Sequence, residues 1–82
     1  MKKTEQLIAV EDFLSVKGIE LERFFSINID NYKVSLLGKF VDLAKPMSSV
    51  ADFKLNDAGF VEGEISIPGE DQDPFILRIV LS

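Results

Sequence analysis

The sequence predicts an α+β domain, with an N-terminal helix packed on one face of a five-stranded, mainly antiparallel sheet. Three observations predict it. Residues 4–17 carry apolar side chains at helical spacing, two later stretches fold onto themselves as β-hairpins with matched apolar faces, and residues 75–81 are apolar on both faces of an extended strand. With 82 residues and no linker, repeat or low-complexity tract, the chain reads as one small domain over residues 1–82.

In the helix, Leu7, Val10 and Leu14 form one stripe with Phe13 beside it, and Glu11, Asp12 and Ser15 face away. Thr4 is placed to be the N-cap, Glu5 suits the positive end of the helix dipole, Lys17 falls in the last turn, and Gly18 suits the left-handed residue that stops a helix. Such a one-sided helix needs a sheet to cover.

The first strand is expected over residues 19–29, where Ile19, Leu21, Phe25, Ile27 and Ile29 alternate and only Arg23 interrupts the inward set. Asp30 and Asn31 both tolerate positive φ and are expected to form a two-residue turn. That turn pairs Ile29 with Tyr32, Ile27 with Val34, Phe25 with Leu36 and Leu21 with Phe40 on one face, and Glu22 with Lys39 on the other. The second strand is expected to run to about Val41, followed by a loop or a short helical turn. Leu37, Phe40, Val41 and Ala44 also fit helical spacing, with Pro46 able to end such a helix.

Residues 51–67 give the sharpest local prediction. Asn56, Asp57 and Ala58 suit a type I turn closed by Gly59 at positive φ, a three-residue hairpin loop. The register then sets Leu55 against Val61, Lys54 against Glu62, Phe53 over the bare backbone of Gly63, and Ala51 against Ile65. Asp52 against Glu64 is the mismatched pair, and calls for a slipped register or a Lys or Arg brought from elsewhere. Beyond it, Pro68 and Gly69 end the strand and residues 70–74 form a polar loop. The last strand, apolar on both faces, suits a central position or cover from both sides, and a simple meander is the default strand order.

Composition narrows the function. The chain holds neither His nor Cys, the side chains most readily made a general base or an activated nucleophile near neutral pH, and its Ser residues lie in no Gly-x-Ser-x-Gly elbow. Glu62 and Glu64 share a strand face about 7 Å apart, a spacing two acid/base carboxylates could use, but an exposed strand face with Glu62 paired to Lys54 explains them more simply. The expectation is a protein that is not an enzyme and uses no cofactor. Glu70, Asp71 and Asp73 resemble a fragment of a calcium loop, but the glycine and terminal glutamate of the EF-hand pattern are missing, so no metal site is expected.

The net charge of −5 lies wholly beyond residue 41, and residues 55–77 hold no Lys or Arg. A phosphate backbone is gripped by clustered cations, so direct nucleic-acid binding is not expected. The absence of Cys fits a reducing compartment. The N-terminal apolar run, residues 7–10, is too short for a signal peptide and no stretch approaches a membrane span, so a cytoplasmic protein with no membrane partner is expected.

Seven Phe in so short a chain favour a homo-oligomer or an apolar partner surface. In the expected register Phe24, opposite Leu37, points outward with Phe60, Ile76 and Val80, forming an apolar patch rimmed by Glu22, Lys39, Glu62, Glu64 and Arg78. The function expected is therefore a small protein-binding domain of the inhibitor, immunity or adaptor kind. It would meet another protein, basic partners included, through this face or through an acidic hairpin side comprising Asp57, Glu62 and Glu64. The alternatives are a structural, self-assembling subunit and, less favoured, a nucleic-acid mimic.

Overall fold

The computed structural model describes residues 3–30, 32–68 and 74–82. It contains helix α1 (Lys3–Val16), a 3-10 turn (Leu21–Arg23), strands β1 (Ser26–Ile29) and β2 (Lys33–Gly38), helix α2 (Phe40–Met47), and strands β3 (Lys54–Leu55), β4 (Val61–Ile67) and β5 (Phe75–Leu81). The expected α+β class and five-stranded, mostly antiparallel sheet are observed. The loop expected at residues 70–74, with the calcium-like Glu70, Asp71 and Asp73, lies largely outside the described residues, as does Asn31 of the expected turn.

The strand order is β1-β2-β5-β4-β3, with β2 and β5 parallel and every other pair antiparallel. This corrects the meander. The reason is visible in β5 itself: Phe75, Leu77, Ile79 and Leu81 are all buried on the helix-covered face, and Val80 on the other face is only 4% exposed. A strand so apolar is most stable with neighbours on both sides, and the α2 crossover lets it enter between β2 and β4.

Helix α1 buries Gln6, Val10 and Leu14, one turn apart, while Leu7 and Phe13 are partly buried beside them. The Gln6 amide Nε2 donates to Asp30 O at 2.9 Å, tying the helix to the end of β1. The helix begins at Lys3, so Thr4 lies within it rather than capping it, and it ends at Val16, one residue before Lys17. Its end is a Schellman motif: Gly18 has φ +75°, its N–H donates to Ser15 O, and the Ile19 N–H donates to Leu14 O, each at 3.0 Å. Leu14 and Ile19, joined by that bond, are both in the core.

The expected strand over residues 19–29 is shortened to Ser26–Ile29. Leu21 and Phe24, three residues apart, are both buried, and a 3-10 turn puts such a pair on one side. Phe24 is thus a core residue, not an outward one, and the pairs Leu21 with Phe40 and Glu22 with Lys39 do not form. The register of β1 and β2 is also displaced by two residues, with Ile29 opposite Val34 and Ile27 opposite Leu36. The displacement keeps each apolar residue of the strand on its expected face, because side chains alternate with period two. Tyr32 leaves Ile29 because its carbonyl accepts the Ile76 N–H of β5 at 2.8 Å.

Strand β2 ends at Gly38, and residues 40–47 take the helical alternative. A Cβ on Gly38 would collide with Leu43 Cδ1 of α2 and sit 3.0 Å from Phe24 Cδ1, so the absent side chain lets α2 close onto the sheet. The first helical N–H of α2, from Phe40, donates to Ser82 O at 2.9 Å, while the Ser82 N–H donates to Gly38 O at 3.0 Å. Ser82 therefore fixes where α2 begins. Leu43 and Met47 complete the core contributed by this helix.

Candidate functional site

The turn of the second hairpin folds as its sequence predicts, but its first strand is only Lys54–Leu55, so the expected pairing of Ala51 with Ile65 does not form. Gly59 has φ +84° and donates to Asn56 O at 3.1 Å, and the Asn56 N–H donates to Phe60 O at 2.7 Å. Asn56 Oδ1 accepts from the backbone N–H of Ala58 and of Phe60, both at 2.9 Å, which makes the asparagine the staple of the turn. Leu55 faces Val61, Lys54 faces Glu62, and the Phe53 ring lies over Gly63, 3.1 Å from where a Cβ would be. Pairing stops at Lys54, so the Asp52–Glu64 clash is avoided by ending the strand.

On the acidic hairpin side expected of Asp57, Glu62 and Glu64, both glutamates meet cations, and the one that meets Glu62 is Arg78 rather than the expected Lys54. Arg78 Nη2 donates to Glu62 Oε2 at 2.7 Å, and Lys33 Nζ lies 3.4 Å from Glu64 Oε2, reaching across β5 from β2. The cation that Glu64 required is thus brought from elsewhere in the same chain. Asn56 Nδ2 also donates to Glu62 Oε2, at 3.2 Å, and this bond, with the Arg78 guanidinium next, holds the Glu62 carboxyl below its ordinary range. Asp52 and Asp57 belong to neither ion pair found among the described residues.

The sheet face away from the helices is accordingly a charge-laced surface rather than an apolar patch. Leu37, opposite Ser26, is half-buried, as is Ile76, opposite Lys33 and Ser66, and Val80 is buried between Leu37 and Glu62. Arg78, Glu62, Glu64 and Lys33 cross the same face. Of the outward set expected, Phe60 is 42% exposed at the hairpin end, and Phe24 is in the core. The structure brings Glu62, Val80 and Leu37 into one row across the strands and leaves Asp57 at the tip of the turn.

An apolar site lies instead on the helix side, at the corner where α2 meets the ends of β4 and β5. Phe40, Ala44 and Ser48 from one side of α2 and its end, Ala51, Asp52 and Phe53 from the following segment, and Val61 and Leu81 from the strands line an open groove of about 390 Å³. Phe40 is 46% exposed at its mouth. Leu55 is 73% exposed and, facing Val61, extends the apolar wall; Val41 is 87% exposed beside Phe40 on α2. Asp52 is the one charged lining residue. The sequence does hold a signal for this groove, the spacing of Phe40, Ala44 and Ser48 at i, i+4 and i+8, which is legible only once the segment is known to be helical.

A second hollow, about 430 Å³, is lined by Glu11, Glu20 and Glu22 with Ser15, Gly18, Ile19 and Leu21. Among the described residues no group of three or more acidic side chains is placed to hold a metal ion, and no described helix is long and apolar enough to cross a membrane. No protein-family model matches the sequence, and comparison with curated proteins and with solved structures gave no match.

Proposed function

We propose that the chain is a small, non-enzymatic protein-binding domain. Its α2–β4–β5 groove would receive an apolar side chain of a partner protein, with a Lys or Arg of the partner beside Asp52. The observation that carries this reading is the groove itself: a concave, largely apolar surface whose volume lies in the range of binding pockets, with Phe40 of its lining nearly half exposed and Leu55, paired to the lining Val61, in solvent. A single anchoring side chain seated in a pocket and shielded there from water carries much of an interface's binding energy. Charge supports a basic partner, since the chain carries −5 and Asp52 belongs to neither ion pair among the described residues.

The reading is tested by copurification from the source cells with wild type and with two variants checked for folding, Ala44→Glu, which fills and charges the groove, and Lys54→Glu, which alters the opposite face. A stoichiometric partner retained by wild type and by Lys54→Glu but lost with Ala44→Glu is the expected result. A partner lost only with Lys54→Glu would move the binding surface to the charge-laced face.

A further inference from the structure

The two edges of the sheet are built differently. One edge is β3, which is two residues long and includes Lys54; shortness and charge are two ordinary ways of protecting an edge from another strand. The other is β1, four residues with the sequence Ser-Ile-Asn-Ile, which carries neither charge nor proline. Ile27 is 40% exposed there, and Phe25, immediately before the strand, is 62% exposed.

The hydrogen-bond phase of this edge follows from its pairing. Asp30 donates to Lys33 O at 2.8 Å, in the same register that sets Asn28 against Ser35 and Ser26 against Leu37. In an antiparallel ladder the residues that exchange backbone bonds alternate, so Ser26 and Asn28 bond to β2 while Ile27 and Ile29 turn their N–H and C=O groups outward. The Phe25 N–H also donates to Leu37 O, at 2.9 Å, so the outward ladder begins at Ile27. Among the described residues no strand lies on that side.

We infer that β1 pairs with β1 of a second copy of this chain, antiparallel about a two-fold axis through Ile27, joining the two sheets into one. The occupant is a second copy because this register is self-complementary. Ile27 meets Ile27 of the second copy, and their outward backbone groups exchange both hydrogen bonds. Ser26 meets Asn28 of the second copy on the charge-laced face, and the exposed Phe25 falls beside Ile29 of the second copy. Both copies then keep their helices on the same side. The uncharged seam also brings no like charges together, which matters for two chains of net charge −5. The seam is short, so the dimer belongs to the weak class with dissociation on the order of micromolar or above. It lies at the opposite end of the strand order from β3 and β4, so it leaves the groove open and stands or falls independently of groove binding.

Sedimentation equilibrium from about 10 µM to 1 mM is the test, with Ile27→Lys and a cysteine pair of variants. The expected result is a monomer–dimer equilibrium in wild type whose dissociation constant rises at least tenfold in Ile27→Lys. The chain has no Cys, so Ile27→Cys offers a single thiol. On the axis its Cα would lie about 5.5 Å from its mate, and a short bis-maleimide linker, which spans the wider side-chain gap of a hydrogen-bonded pair, should give a covalent dimer much faster than with the exposed Ser49→Cys control. A wild type that stays monomeric at 1 mM, a dimer unaffected by Ile27→Lys, or equal cross-linking by the two cysteine variants would each overturn the inference.

Discussion

Arg23 Nη2 donates to the Asp42 carbonyl at 2.8 Å, the acceptor left vacant by Pro46 four residues later in α2. Proline has no N–H to return to that carbonyl, and an unsatisfied acceptor is one of the costs of placing it inside a helix. The guanidinium, carried by the 3-10 turn, supplies the missing donor. Arg23, which interrupts the apolar alternation in the sequence, thus holds α2 in place, and α2 in turn presents Phe40 and Ala44 to the groove.

Replacing Arg23 by Met should lower the unfolding free energy by about 0.5 kcal/mol, the low end of the range for one hydrogen bond because this one is exposed to solvent. In a Pro46→Ala background, where the restored backbone N–H can donate to Asp42 O itself, the same replacement should cost measurably less. Urea unfolding of the four proteins gives this coupling as a double-mutant cycle; strictly additive effects would separate Arg23 from Pro46.

Gly38 should tolerate no side chain while Leu43 is present. Gly38→Ala forces the Leu43 and Phe24 side chains aside and should cost about 1–3 kcal/mol, as overpacking does. Leu43→Ala alone should cost about 2–5 kcal/mol, and less when combined with Gly38→Ala, because the new methyl occupies part of the vacated space. Thermal and urea unfolding check both values.

Glu62 gives the sheet a pH dependence of known sign. Its carboxyl is held low by Asn56 and Arg78, so the folded protein binds that proton less readily than the unfolded chain. The stabilisation is present above the ordinary glutamate range and is lost as pH falls through the lowered folded value. A carbon-detected NMR titration should place Glu62 below the ordinary glutamate range, and Arg78→Met should raise it. Glu62→Gln should flatten the acid limb of the stability profile; an unchanged limb would remove Glu62 as a contributor.

The parts of the fold legible in the sequence are those decided within a few residues. Gly18 ends its helix and Asn56 to Gly59 set the second hairpin because left-handed glycines and an asparagine staple act locally. The central place of β5 is legible from its two apolar faces. Its insertion between β2 and β4 is not, because which strands neighbour it is decided by packing across the whole sheet. Alternation over residues 19–29 misleads because Leu21 and Phe24 satisfy the core through a turn rather than a strand, and the apolar patch disappears with Phe24. The ion pair from Lys33 to Glu64 spans three strands in an order that local spacing does not encode. The groove depends on the same long-range information, since Phe40, Ala44, Val61 and Leu81 meet only through the α2 crossover.

Stability should separate the groove's role from the core's. Phe40 is nearly half exposed at the mouth, so Phe40→Ser should cost roughly 1 kcal/mol or less in urea unfolding, well below the cost of truncating buried Leu43, while removing the anchoring surface for a partner.

The most direct test of groove binding is amide-resolved NMR of the wild-type chain titrated with peptides selected against it from a displayed random library. Selected peptides should carry an aromatic or aliphatic anchor beside Lys or Arg, and shifts should concentrate at Phe40, Ala44, Ser48, Asp52, Val61 and Leu81 and vanish in Ala44→Glu. Shifts confined to Leu37, Ile76, Arg78 and the rest of the charge-laced face, or binding untouched by Ala44→Glu, would contradict a groove that receives the partner.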